Sequence, residues 1–538
     1  MIPPTLSSTT DRDVLHANPD HTQDFRKGDA EPLLICQHLF RAFAEAEVRY
    51  CHWKSNEHLL PGLSGDTDLD VLVDRCSSHQ VQRVLAELDF KSFQATPFTR
   101  YPGIEDYLGF DSDTGKLVHL HLHHQLVLGQ QGLKGYRLPL EQELLDHSTQ
   151  DPQTGVAICE PHWELLLLLL RLAFKLRGRD RLRKLIGRPC ADRGSHREFQ
   201  WLQARTTSDT TVELAVKHFG DQVADPIREL LEAGLSFQGL YRLRSAARPV
   251  FARCATYHPT AASLRILARR LTRRCLVWKN RFLAAPEPLR RTSPRGGTLI
   301  AIVGADGAGK STIVKELQHW TSWKLDVLRV YFGSGDGPVS LPRKCLSRFV
   351  KAGSMARQLA TRSHTRQTQG IVAETARREL PESSDRRWFR VWLRTIRILL
   401  IAHERRRNLA ISRQARNRGM VVIADRYPQT QFLDMMDSPH LSQWQSHPNR
   451  IFQALAAWET KVYESAAAPS PDLVIKLCVD PQVAHQRKGD QSIPSLTRRC
   501  QIVQQLTYPP ATTSVAIDAN LPLDHVLIEA KRAIWNLL

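Results

Sequence analysis

A glycine-rich segment set between a strand-like run and a helix-like run constrains this chain more than any other feature. Residues 298–303 are apolar and read as a buried strand, and residues 312–320 read as a helix. Between them stands Gly304-Ala305-Asp306-Gly307-Ala308-Gly309-Lys310-Ser311. In that context the glycines let backbone N–H groups fold around phosphate oxygens, and the helix start adds its positive dipole end. Lys310 is expected to reach the terminal phosphates and the Ser311 hydroxyl to ligate Mg²⁺, with Gly304, Asp306, Gly307, Gly309 and Thr312 completing a cradle for ATP.

Two further elements follow in order. Val421-Val422-Ile423 reads as a buried strand with Asp425-Arg426-Tyr427 at its C-terminal edge, where ligands bind in parallel α/β sheets. Asp425 is a candidate to orient Mg²⁺ or the attacking oxygen, and Arg426 to hold an acceptor phosphate by paired hydrogen bonds. A strand-end ion pair is the plainer role for both. The second element is the strand Pro471-Asp472-Leu473-Val474-Ile475-Lys476-Leu477, then Asp480-Pro481 and a helix ending in Arg487-Lys488. Basic residues there could close over a transferring phosphoryl group, or simply complement the helix C-terminus. Arg498 and Arg499 are further lid candidates.

Taken in order, these elements over residues 297–538 resemble thymidylate kinase. The terminal strand Val515-Ala516-Ile517-Asp518-Ala519 fits the same pattern. The resemblance implies a P-loop kinase fold with a parallel sheet, and transfer of the ATP γ-phosphate to a nucleoside monophosphate or another phosphorylated small molecule. It also implies that Arg405, on the helix containing Leu399-Leu400-Ile401-Ala402-His403-Glu404, meets the acceptor phosphate. Ile401 stands where family members commonly carry an aromatic that stacks on thymine. Residues 331–338, Tyr-Phe-Gly-Ser-Gly-Asp-Gly-Pro, replace the family's Pro-Gly-Gly loop, and a long basic insertion precedes Trp388. A rebuilt acceptor side is therefore expected.

Near the other end, Gly65-Asp66-Thr67-Asp68-Leu69-Asp70-Val71-Leu72-Val73 puts Asp68 and Asp70 on one side of a strand, because side chains alternate. Two such carboxylates can hold a divalent metal for phosphoryl or nucleotidyl transfer. Residues 31–150 resemble the nucleotidyltransferase superfamily in this signature. The Gly-Gly or Gly-Ser usually found upstream is absent unless Lys54-Ser55-Asn56 substitutes. The later strand expected to carry a third carboxylate has His119, His121 and His123 on one face instead. Ordinary hydrogen bonding is the favoured reading of those imidazoles over transition-metal ligation.

At 538 residues the chain is too long for one core. The expected organisation is a multidomain α/β chain: a flexible tail (1–30), a nucleotidyltransferase-like α/β domain (31–150), a helical extension (151–248), a basic helix and linker (249–297) and the kinase-like domain (298–538). The leucine run 165–170 is far short of a bilayer span and reads as a buried helix, with Trp163, Leu166, Leu167 and Leu170 on its apolar face. The ten cysteines are scattered without metal or disulfide spacing, and residues 1–25 are polar, which together suit a cytoplasmic protein.

The net charge of +19 admits nucleic acid, anionic membrane or phosphorylated partners. Arginine-dense runs such as residues 179–184 and 405–407 read as solvated faces, and nucleic acid is disfavoured because no aromatic-interleaved groove motif accompanies them. The readings in competition are a kinase, a nucleotide-binding regulator with little turnover, and a bifunctional kinase and nucleotidyltransferase. Oligomeric state and acceptor identity are left open by the sequence.

Overall fold

Strand-forming and helix-forming runs alternate along the chain, and the computed structural model gathers them into two units. The structure describes residues 31–130, 132–176, 192–283, 285–334, 343, 384–433, 435–467 and 470–538. The tail expected over 1–30, the arginine run 179–184, positions 335–338 of the 331–338 loop and most of the basic insertion lie outside the described residues.

The first unit takes in residues up to 84, 101–104 and 121–262. Its opening helix, Leu34–Glu45, buries Cys36, Leu39, Phe40 and Phe43, the i, i+3, i+4, i+7 spacing of one helical face. Strands β1 (Tyr50–His52) and β2 (Asp68–Val73) follow and pair antiparallel, Cys51 opposite Leu72. Of the strands next in the chain, β6 (Leu126–Leu128) and β7 (Tyr136–Leu138) belong to this unit, whereas β3 (Lys91–Phe93) and nearly all of β4 (Ile104–Phe110) fall in the second, and β5 (Leu117–His123) is divided between the two. β8 (Ser148–Gln150) and β9 (Ala157–Cys159) form an antiparallel pair, and β9 runs parallel to β1 with His52 opposite Ile158.

The leucine run lies in the helix Pro161–Lys175, whose proline sits in the first turn where no intrahelical N–H is needed. Leu165 through Leu170 are all fully buried. The sequence predicts one apolar face; the structure covers the helix on every side, with Phe199, Leu202, Val212, Ala215, Ile227, Leu240 and Leu243 from four later helices completing the core. Burial of each leucine stabilises the unit by about 1.5–3 kcal/mol relative to exposure. Among the described residues no helix is long and apolar enough to cross a membrane.

The second unit holds residues 85–100, 105–120 and 263–538. Its sheet is built from β10 (Thr298–Gly304), β11 (Val327–Tyr331), β12 (Val421–Asp425), β13 (Leu473–Cys478) and β14 (Thr513–Asp518), in the order β11-β12-β10-β13-β14. Every pairing is parallel. Such a sheet is covered on both faces, which is why its strands read as continuous apolar runs. Ile300 and Ile302 pack with Ile313, Leu317, Ile534 and Trp535 on one side. Leu299, Ala301 and Val303 pack with Leu409 and Ala415 on the other. β10 is central, so its C-terminal end lies between the ends of β12 and β13, at the kind of switch in strand order where parallel α/β sheets bind ligands.

Candidate functional site

The glycine loop leaves that central strand. Gly304 closes β10 opposite Leu477, and Gly309 caps the helix Lys310–Ser322 with φ +81°, a left-handed conformation that suits glycine. Gly307, at φ +84°, has the tightest surroundings: a Cβ there would come within 2.4 Å of the Ala484 carbonyl oxygen. Ser311 and Thr312 are exposed on the first helical turn. Lys310 is buried, its ammonium donating to the Ala305 carbonyl at 2.7 Å and lying 3.9 Å from Asp306. Burial pushes that ammonium down to about 8, with Arg426 adding to the shift and Asp306 opposing it.

Asp306 is the hub of the loop. It accepts from Arg426 at 2.5 Å, from Gln491 at 2.9 Å and from Arg499. Burial alone would raise its carboxyl, but Arg426 and Lys310 hold it well below the usual carboxylate range. Arg426 follows Asp425 at the end of β12 with φ +69°, its backbone N–H bonded to Ile302 on β10. Burial works against its charge, and Asp437 and Asp306 more than offset that effect.

Asp425 pairs in register with Ile302, one strand away from the loop. It is buried, and burial raises its carboxyl while Lys310 and Arg426 pull it down. Its Oδ2 has no hydrogen bond among the described residues; the Arg329 guanidinium is 3.6 Å away. A buried carboxylate oxygen without a hydrogen-bond donor, on the strand beside the glycine loop, has the chemistry of a cation ligand, as has the Ser311 hydroxyl on the first helical turn.

The other predicted basic residues are placed differently. Arg405 is 2% exposed, donating to the Phe332 carbonyl at 2.8 Å, to Asp437 at 3.0 Å and to the Tyr463 hydroxyl. Its fork is filled by protein groups. Arg487, at the end of the helix Pro481–Arg487, is exposed and donates to the Ala519 carbonyl at 2.9 Å. Of the lid candidates, Arg499 on the helix Ile493–Gln505 reaches the loop, while Arg498 is exposed. Ile401 is buried in the helix Ser384–Asn417. Asp437, which bridges Arg405 and Arg426, was not foreseen; it sits at φ +55° in an irregular segment without a motif.

In the first unit, Lys54, His121 and His123 converge on one oxygen of Asp70 at 2.8, 3.2 and 3.1 Å. Burial would raise Asp70, yet Lys54 and then the two imidazoles hold it well below its ordinary value. Asp68 lies 3.9 Å from His121. Ligand atoms of Asp70, His121 and His123 fall within 4.8 Å of one another, a spacing a metal could use, but the Lys54 ammonium supplies the positive charge at that oxygen. His119, which belongs to the second unit with Asp106, bonds that carboxylate at 3.2 Å. The Lys54-Ser55-Asn56 turn places Ser55 at φ +58° and buries Asn56, which donates to both oxygens of Glu164 at 3.0 and 2.7 Å. Burial, reinforced by Glu198, pushes the Glu164 carboxyl up to about 8.

No family model matches the chain. It is 26% identical to the uncharacterized ATP-binding protein YghR of Escherichia coli strain K12 over 242 residues, 44% of this chain and 86% of that protein. To the uncharacterized ATP-binding protein YghS of the same strain it is 28% identical over 245 residues, 44% of this chain and 92% of that protein. These two likenesses support a nucleotide-binding domain within the chain.

Proposed function

We propose that the second unit is a phosphotransferase of the P-loop kinase class that binds ATP and transfers its terminal phosphoryl group to a phosphorylated small molecule. The observation that carries this reading is the pairing of Ile302 with Asp425, which sets a buried carboxylate beside the glycine loop on the neighbouring strand. The names of YghR and YghS support ATP as the donor.

In this reading the loop amides and Lys310 bind the donor phosphates, and Ser311 and Asp425 hold Mg²⁺. The metal, when bound, neutralises phosphate charge. Arg426 and Arg499 already face the loop through Asp306, so an entering phosphate exchanges places with that carboxylate and takes over both guanidinium groups. Asp425 orients the attacking oxygen as the phosphoryl group moves across. Arg405 then acts as a positioning residue, holding the loop of Phe332 and the segment of Asp437 rather than the acceptor itself.

A second reading, a nucleotide-binding regulator with little turnover, draws on the fact that Arg405 and Arg426 both have carboxylate partners within the protein. An ATP-consumption screen over nucleoside monophosphates, phosphorylated sugars and unphosphorylated glycans separates the two. Product with one acceptor class, abolished in Lys310→Ala, supports the kinase. Stoichiometric ATP binding with no product across the panel supports the regulator, and turnover unchanged in Lys310→Ala refutes the assignment.

A further inference from the structure

Outside the glycine loop, an unusual surface is the helix Pro259–Trp278, which enters the second unit at Ser263, with its π-helical continuation Lys279–Leu283, because no residue of either is buried. Leu264, Leu267, Leu271, Trp278 and Phe282 recur at steps of three, four, seven and four. At 100° per residue Leu264, Leu267, Leu271 and Trp278 fall within a stripe roughly 60° wide, and Phe282 follows in the π-helical continuation. All five are between 49% and 67% exposed. The opposite face carries Ile266, Leu276 and Val277, which are half-buried and so account for the side turned toward the protein.

Basic residues border the stripe. Residues 264–283 contain Arg265, Arg269, Arg270, Arg273, Arg274, Lys279 and Arg281 and no aspartate or glutamate. On the same helical projection Arg270 and Arg274 flank one side and Arg265 the other. Trp278 and Phe282 lie 5.6 Å apart with their rings tilted by 40° at the C-terminal end, with the Arg281 guanidinium 5.5 Å from the Phe282 ring.

We propose that this helix docks the protein on a membrane surface rich in anionic phospholipid. The apolar stripe enters the boundary between headgroups and acyl chains, and the bordering arginines meet lipid phosphates and carboxylates. Charge selects this occupant over a second copy of the chain. Two such helices packed stripe to stripe lie roughly 8–10 Å apart and bring the flanking arginines of one against those of the other, with no aspartate or glutamate within 264–283 to offset the repulsion; Lys279 is set apart, 3.6 Å from Glu287. An exposed leucine and aromatic stripe is likewise not what a phosphate-backbone contact to nucleic acid requires. The attachment is peripheral, consistent with the lack of a spanning helix among the described residues. It is independent of what the phosphate loop does.

The test is sedimentation of the full-length protein with extruded vesicles of phosphatidylcholine alone and of phosphatidylcholine with phosphatidylserine, at low and high salt. The expected result is partition about tenfold or more stronger onto the anionic vesicles, weakened by salt. Leu267→Glu/Leu271→Glu should lower that partition about tenfold, because the stripe no longer enters the interface. Arg270→Glu/Arg274→Glu should remove the preference for anionic lipid. Unchanged thermal melting of both variants verifies their folds, since every substituted side chain is exposed. Equal binding to both vesicle types, or parental binding by both variants, overturns the proposal. So does a parental dimer in light scattering that Leu267→Glu/Leu271→Glu dissociates, which would make a second copy the occupant.

Discussion

The Arg426 guanidinium lies 2.5 Å from the Asp306 carboxylate, so a residue at the end of one strand is bonded to the loop that leaves its neighbour 120 positions earlier in the chain. Both side chains are largely buried, and Asp306 has Arg499 as a second partner. A double-mutant cycle with Arg426→Ala and Asp306→Ala should give a coupling of about 1–3 kcal/mol in denaturant unfolding of the second unit. A coupling near zero would show that Arg499 alone fixes the loop carboxylate.

Lys310 makes the donor site sensitive to pH. Its folded value, near 8, lies below the ordinary lysine value, so between about pH 8 and 10.5 the unfolded chain binds the extra proton and stability rises with pH. Affinity for ATP has the opposite sign, because the charged ammonium is the form that attracts phosphate. The Kd for ATP should therefore weaken as pH passes 8, with proton uptake on binding above that pH visible by calorimetry in two buffers. Lys310→Ala should bind weakly with a flat profile.

The two left-handed glycines of the loop differ in what surrounds them. Gly309→Ala meets nothing within 4 Å and should cost about 1–2 kcal/mol, the price of the backbone conformation alone. Gly307→Ala adds a clash with the Ala484 carbonyl oxygen at 2.4 Å, and its melting temperature should fall clearly further. Equal losses in the two variants would mean that the helix carrying Ala484 yields readily.

Arg405→Lys tests whether that side chain positions or binds. A lysine cannot span Phe332, Asp437 and Tyr463 at once, so a stability loss of about 3 kcal/mol is expected from the broken buried pair. Full stability with a raised KM for the acceptor would instead assign it to acceptor binding.

Asp70→Asn should leave ATP consumption by the second unit unchanged while removing the negative charge on which Lys54, His121 and His123 converge. If the first unit transfers nucleotidyl groups, Asp68→Asn/Asp70→Asn also abolishes pyrophosphate release. Pyrophosphate release that survives this pair of substitutions would exclude the two carboxylates from such a reaction.

The parallel sheet was legible because strands covered on both faces read as nearly continuous apolar runs, as residues 299–303, 421–423 and 473–475 do. The glycine loop was legible because its conformation demands particular residues at particular steps. Arg405 was visible as a basic residue on a helix, but its role rests on Phe332 and Asp437, which are 73 and 32 positions away and belong to no pattern. Asp437 carried no signal, since an aspartate after two methionines looks like any loop residue until its carboxylate is seen between two arginines. The sideways reach of Lys54 to Asp70 was equally hidden, being set by pairing of β1 with β2 rather than by either segment alone.

The central position of β10 has a consequence during synthesis. Both of its partners, β12 and β13, are made later, the nearer about 120 residues downstream. At roughly 5–20 residues per second, the nascent apolar strand waits about 6–24 s on the ribosome before either edge can be satisfied. During that interval the strand and the glycine loop behind it are an unpaired sticky ribbon, and their safe passage depends on whatever shields them until β12 emerges.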